Sequence, residues 1–403
     1  MPIGSPSLTV LYSTAIHHAD RWRDMRLALE RAVLGVRRGA TARRAVGFGL
    51  HVSGRAALDL EAPGARAELK EWMARHDVTV CTLDGGAYGR FMGPPHKSAA
   101  YRPDWLDEER LRHADRLAVL LASLLPAGGF GTVNTIGGAF RARVRSRVDD
   151  AAIADRLLRH VALLARLRER TGKTVALAVE PEPGCRLATI GETAEFFDRH
   201  LRGRAATARV AGLTGLASGA AADAIARHVG ACIDASAAAL WHEGPTTALR
   251  ALELAGVPVW KVQLSTALSV RYPFDRQARD VLQTLASDAG LHQVVVRTPI
   301  ALRRFVDLPL ALAAPPPDGV EWRVNAHLPV SLETSGSLST TRSASEQILG
   351  ALTHGSTVRH VEANALAIRL DGATSRTSEV VQSVARDLAW IDARLPQPLV
   401  RSA

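Results

Sequence analysis

Short apolar and β-branched runs alternate with longer segments of helical period from one end of the chain to the other. The runs that read as strands are 8–14, 45–51, 78–84, 131–136, 174–180, 228–234, 257–264 and 358–363. Between them, apolar positions recur every three or four residues in 22–37, 65–75, 107–125, 150–170, 190–200, 245–255 and 344–354, and 375–395 reads as a closing helix. Several of these segments open on Ser, Thr, Asp or an early Pro, as helix starts do. Strands that alternate with helices predict a parallel sheet covered by helices, and eight such units predict an α/β fold of the (β/α)8 TIM barrel type.

With 403 residues, the chain exceeds the roughly 250 typical of that barrel, so insertions are expected. The reading is one domain, 1–403, with insertions at about 202–221 and 265–343. The first is rich in Ala, Gly, Thr and Arg with weak periodicity and reads as a surface excursion. The second, between strands seven and eight, carries strand-like runs at 293–297 and 321–328 around a Pro-rich turn at 314–318. It reads as a cap over one barrel end. A doubly wound open sheet competes, but no GxGxxG or GxxxxGK[ST] turn follows the first strand, so its nucleotide-binding forms lose support.

Composition, 47% hydrophobic and 22% charged, is that of a folded globular chain. No apolar run approaches the roughly 18 residues that cross a bilayer, and residues 1–20 lack the parts of an export signal, so a cytoplasmic protein is expected. Cys81, Cys185 and Cys232 form no CxxC pair, which removes structural zinc and redox-motif readings. The net charge of +10 would suit an anionic partner, yet only Lys70, Lys97, Lys173 and Lys261 among the 50 basic residues are lysines. Arginine spread with alanine over the helical segments reads as solvated faces, with a nucleic-acid surface as the lesser alternative. Arg141, Arg143, Arg145 and Arg147 cluster after a Gly-Gly turn and suit either a bound phosphate or carboxylate, or a solvated loop.

In a closed parallel barrel, polar side chains at the C-terminal strand tips meet at one mouth. Strand five ends in Glu180, strand six in Asp234, strand seven carries Gln263 and strand eight carries Glu362. Three converging carboxylates raise one another's pKa unless a cation compensates. An all-oxygen set of Glu180, Asp234, Gln263 and Glu362 suits Mn²⁺ or Mg²⁺, and nitrogen from His17, His292 or His327 shifts the choice toward Zn²⁺, Fe²⁺ or Mn²⁺. Any one of these acids serves equally to cap the next helix or to pair with an arginine. Tyr88, Phe91, Tyr101 and Trp105 follow strand three and either wall the pocket or pin its loop, and Trp260 reads as core.

Several blocks resemble the EboE family of metabolite traffic proteins, built on the xylose-isomerase-like TIM barrel. They are Tyr12-Ser13-Thr14-Ala15-Ile16-His17, Tyr88-Gly89-Arg90-Phe91, Tyr101-Arg102-Pro103-Asp104-Trp105, Glu180-Pro181-Glu182-Pro183-Gly184-Cys185, Lys261-Val262-Gln263-Leu264-Ser265, Leu291-His292-Gln293-Val294 and His327-Leu328-Pro329. The resemblance implies a xylose-isomerase-like barrel with an insertion between strands 7 and 8. It also implies one divalent ion (Mn, Mg or Zn) held by Glu180, Asp234, Gln263 and Glu362, with Glu180 and Glu362 as the catalytic pair. The sequence departs from the family after strand six, where Asp234-Ala235-Ser236-Ala237 lacks the usual histidine, and at Ala15 and Asp84, where the family has Asn. The family's tryptophan after Glu362 is also missing from Asn364-Ala365-Leu366-Ala367.

The leading functional expectation is a metal-dependent isomerase or epimerase acting on a small polyoxygenated metabolite of a secondary-metabolite pathway. Glu180 and Glu362 would serve as base and acid, with His17, Lys97, Glu182, His292 and His327 as substrate-binding candidates. The alternatives are a non-catalytic metabolite-binding carrier and an endonuclease-IV-type phosphodiesterase. The missing strand-six histidine counts against the last, and with it against a nucleic-acid partner.

Overall fold

The computed structural model describes residues 8–395 apart from residue 18 and residues 40–45, 90–96, 272, 274, 288–289, 316–320, 335–336, 353–355, 367–369 and 371–374. In chain order the strands are β1 (Thr9–Ser13), β2 (Val46–His51), β3 (Val80–Asp84), β4 (Phe130–Ile136), β5 (Thr174–Glu180), β6 (Val229–Asp234) and β7 (Val259–Leu264). Then come β8 (Thr266–Val270), β9 (Val294–Arg297), β10 (Leu302–Phe305), β11 (Glu321–Leu328), β12 (Leu338–Thr340) and β13 (His360–Ala363). β1 to β7 and β13 close a parallel barrel in the order β1-β13-β7-β6-β5-β4-β3-β2. The chain is an α/β TIM barrel.

The strands form where the apolar runs stand, because both faces of a closed parallel sheet are covered and a continuous Val, Ile, Leu and Ala run pays no exposure cost on either face. Helices such as Glu108–Leu124 and Arg147–Thr171 present Leu117, Leu121, Leu157 and Val161 to the outer face of the sheet. Helix ends are built locally. Ser146 with Asp149 and Thr189 with Glu192 form capping boxes at the starts of Arg147–Thr171 and Ile190–Phe196. The segment 202–221, read from sequence as a weakly periodic excursion, is largely helical: Arg204–Thr214 and the first turn of Ser218–His228 lie in it, with Ala206, Val210 and Ala221 buried. Its buried face is largely alanine, which hardly marks a hydrophobic period.

Inside, the barrel departs from the usual layers of branched apolar side chains. Thr132 Oγ1 donates to Thr82 Oγ1 at 2.8 Å and lies 3.0 Å from His360 Nδ1, while Lys261 Nζ donates to Thr82 Oγ1 at 3.4 Å. All four are buried. Above that layer, register aligns Asp234 with Gln263 and Gln263 with Glu362 across β6, β7 and β13. The interior is thus polar well below the strand tips.

Between β7 and β13 the insertion folds as an antiparallel sheet in the order β10-β9-β11-β8-β12. It has its own core, in which Leu268, Val294, Val296, Trp322 and Val324 meet Ala278, Leu282 and Leu308 from helices Arg276–Ala286 and Leu308–Ala313. The Pro-rich turn expected at 314–318 falls largely outside the described residues. Period two along β11 sends Trp322 and Val324 into that core, whereas Arg323 donates to Ala239 O at 2.5 Å and Asn325 accepts from Ser236 Oγ at 3.4 Å, both on the barrel side. The pairing of β11 with β8 shifts register between Val324 and Leu328, and His327 within that irregularity has φ 42°. Such a bulge re-aims a side chain, here His327, over the mouth.

Candidate active site

A cavity of about 350 Å³ opens at the C-terminal ends of the barrel strands and is roofed by the insertion. Its polar floor is built by Glu180 and Glu182 from the end of β5 and the turn after it, Asp84 from β3, His51 from β2, Gln263 from β7 and Asn364 just beyond β13. The roof supplies His292, Asn325 and His327, and Ala15, Ala19, Ala87, Leu291 and Leu366 give the rim an apolar surface. Of the side chains expected from sequence, Glu180, Glu182, Gln263, His292 and His327 therefore line one cavity.

The carboxyl groups are held differently, and their proton affinities diverge accordingly. Burial pushes Glu180 well above the usual carboxylate range, and the charges of Asp234, Glu182 and Asp84 push it further, while Asn134 Nδ2 donates to Glu180 Oε2 at 3.3 Å. Burial likewise lifts Glu182 to about 7, partly opposed by neighbouring His327. Asp84 shows the opposite balance. Burial would raise it, but His51, with Nδ1 3.4 Å from Asp84 Oδ2, together with Lys261 and the Gly86 N–H, brings it down to about 2. For His327, burial lowers the imidazole, and the outweighing charge of Asp234, whose Oδ2 lies 3.5 Å from Nδ1, leaves it raised.

The turn carrying Glu182 is fixed from the opposite side. Tyr101 donates its hydroxyl to Pro183 O at 2.8 Å, and Gln293 Nε2 donates to the same carbonyl at 3.0 Å and to Tyr101 Oη at 2.7 Å. Asn325 Nδ2 donates to Gln293 Oε1 at 2.9 Å, so the roof and the β5 turn are tied through buried amides. Gly184 takes φ +88°, a conformation that a side chain would strain, and so lets the turn fold back. Trp105 donates to Thr135 Oγ1 at 2.9 Å and Tyr88 to Glu109 at 2.9 Å, so both pin loops, while Tyr101 also walls the cavity.

The remaining expected residues lie elsewhere. Asp234 caps helix Ala235–Leu240, with Oδ1 accepting from Ala237 N at 2.9 Å, and it does not line the cavity. Glu362 is fully buried beneath the floor, 2.6 Å from Lys261 Nζ, and Oε2 accepts from Gln263 Nε2 at 3.1 Å. His17 bonds the Tyr12 hydroxyl. Lys97 opens the short helix Lys97–Tyr101, and its side chain lies outside the described residues. Of the arginine cluster, Arg141 is paired with Glu192 and Arg143 with Asp104 and Asp107, while Arg145 and Arg147 are exposed.

These positions do not fit the divalent ion that the resemblance implies. Glu362 already has an ammonium partner, Asp234 spends one oxygen on a helix cap and turns the other to His327 and Ser265, and Gln263 presents its amide NH₂ to Glu362. Among the described residues, no group of three or more His, Cys, Asp or Glu is arranged to hold a metal. The floor also contains side chains that sequence reasoning passed over. His51 and Asp84 end β2 and β3 and would have been found by the strand-tip rule applied to all eight strands. Beneath the floor, Asn134 and Lys261 sit inside strands; apart from the resemblance block that contains Lys261, the signal for them was a polar residue within an otherwise apolar run.

No protein-family model matches the chain, and no curated protein matches it, so the EboE resemblance rests on the sequence blocks alone. Among solved structures, the IOLI protein, crystallised with a zinc atom, is 11% identical with a TM-score of 0.50, over 97% of this chain and 100% of that one. The Escherichia coli 3-keto-D-glucoside 4-epimerase YcjR is 14% identical with a TM-score of 0.45, over 96% and 100%. A xylose isomerase domain protein from Alicyclobacillus acidocaldarius is 15% identical with a TM-score of 0.38, over 96% and 98%. The first of these likenesses is to the fold. Among the described residues, no helix is long and apolar enough to cross a membrane.

Proposed function

We propose that the protein is a cytoplasmic isomerase or epimerase that moves a proton at a carbon beside a carbonyl of a small, polyoxygenated secondary metabolite, related to the EboE proteins. The observation that carries this reading is the meeting of Glu180 and Glu182 with His327 and the His51–Asp84 pair around one cavity of about 350 Å³. A carboxyl group raised toward neutrality gives a proton readily and, once ionised, takes one back, so Glu180 and Glu182 act as acid and base. Asp84 stays ionised and orients His51, and His327 supplies a hydrogen-bond donor for the substrate oxygen. The free, buried thiols of Cys81, Cys185 and Cys232 accord with a reducing compartment. No step is assigned to Mn²⁺, Mg²⁺ or Zn²⁺.

The reading is tested by incubating the protein in D₂O with a panel of small unphosphorylated ketoses and aldoses and following deuterium entry beside the carbonyl by NMR. Exchange that disappears in both Glu180→Gln and Glu182→Gln supports it, and exchange untouched by either overturns it. One observation favours a second reading, a barrel that holds a metabolite without turning it over: Glu362, the expected partner in a two-glutamate relay, is bound by Lys261 beneath the floor. Saturable binding of a panel member without any deuterium entry would select that reading.

A further inference from the structure

We infer that Lys261 takes the place of a divalent ion in this barrel: a tethered ammonium, not a metal, neutralises Glu362 and closes the polar interior. Lys261 precedes Gln263 by two positions on β7, so both side chains enter the same interior. Register sets Gln263 beside Glu362 on one side and Asp234 on the other, which makes this row the place where charge has to be balanced. Neither Lys261 nor Glu362 has any solvent exposure, and the 2.6 Å between Nζ and Oε2 is a direct ion pair. Thr82 accepts a further hydrogen bond from Nζ at 3.4 Å, so the ammonium is anchored from the opposite wall as well.

Two oxygens in this row, Oε1 of Glu362 and Oε1 of Gln263, are buried without a hydrogen-bond partner. They are the kind of atoms that a hard cation would collect. A dication entering here would meet the Lys261 charge in a fully buried interior, where like charges repel strongly. The lysine therefore both satisfies Glu362 and bars the ion, leaving the cavity above to work by hydrogen bonding and proton transfer. This inference concerns the charge beneath the floor and stands whether the barrel turns a substrate over or only holds it.

The test is a Mn²⁺ titration followed by electron paramagnetic resonance on full-length protein purified without chelators, with elemental analysis for zinc. Wild type should bind less than about a tenth of an equivalent at about 100 µM free Mn²⁺, whereas Lys261→Met should take up one equivalent at least about tenfold more tightly and gain thermal stability from it. Stoichiometric, micromolar ion binding by wild type overturns the inference, and so does a folded Lys261→Met protein that binds no more Mn²⁺ than wild type. Should Lys261→Met not fold alone, refolding it with and without Mn²⁺ keeps the question open to measurement: rescue by the ion supports the inference, and no rescue counts against it. Glu362→Gln, which leaves the ammonium in place, should remain ion-free.

Discussion

A side chain on Gly49 would overlap Oε1 of Glu362: the bare backbone of β2 makes room for a carboxylate reaching inward from β13. The glycine is needed for close approach and not for an unusual dihedral angle. Gly49→Ala should therefore push Glu362 off Lys261. Overpacking costs about 1–3 kcal/mol, and loss of the buried pair adds to it, so thermal unfolding should show a large drop in midpoint. A Gly49→Ala protein as stable as wild type would show that Glu362 has room to retreat.

Lys261 and Glu362 should behave as a unit in stability measurements. Lys261→Met or Glu362→Gln alone strands one buried charge and should cost about 3–5 kcal/mol. The double variant Lys261→Met/Glu362→Gln strands neither and should recover a coupling of about 1–3 kcal/mol in urea denaturation. Strictly additive losses would refute the pairing.

Removing a cavity carboxyl should affect chemistry more than folding. Glu182→Gln keeps the shape of the β5 turn, because Pro183 O is held by Tyr101 and Gln293 and not by the carboxylate. Its deuterium-exchange rate should fall by about 10²–10⁴-fold, with the circular dichroism spectrum unchanged. Tyr101→Phe should instead loosen the turn, giving a smaller rate loss together with weaker substrate binding.

Asp387, on the closing helix Thr377–Arg394, predicts a pH dependence of stability. Burial raises its carboxyl from 3.8 to about 6, opposed in part by hydrogen bonds from Ser331. A raised acid holds its proton more tightly in the folded state, so its contribution is fully present below about pH 4 and is lost as pH climbs through about 6, a loss of about 3 kcal/mol. Asp387→Asn still offers an oxygen to Ser331 N, the 2.9 Å contact of the wild type, and should flatten that dependence. Denaturation at pH 4 and pH 8 checks it: the variant should gain on wild type only at the higher pH.

The eight strand–helix units and the tips at Glu180, Asp234, Gln263 and Glu362 were legible in the sequence, because strand period and chain order are local properties that a parallel barrel converts directly into an end with a mouth. The insertion between the last two strands was legible for the same reason, through its own alternating runs. Which acids share the cavity was decided by tertiary structure. Glu180 and Glu182 face it, whereas Asp234 turns to a helix cap and Glu362 sinks onto Lys261, since a carboxylate's partner depends on register and side-chain direction between strands far apart in the chain. His51 and Asp84 become a pair only when β2 and β3 align, and His327 reaches the mouth only because β11 bulges. Local pattern sets where a polar residue lies along a strand, and packing among distant strands sets the charge it meets.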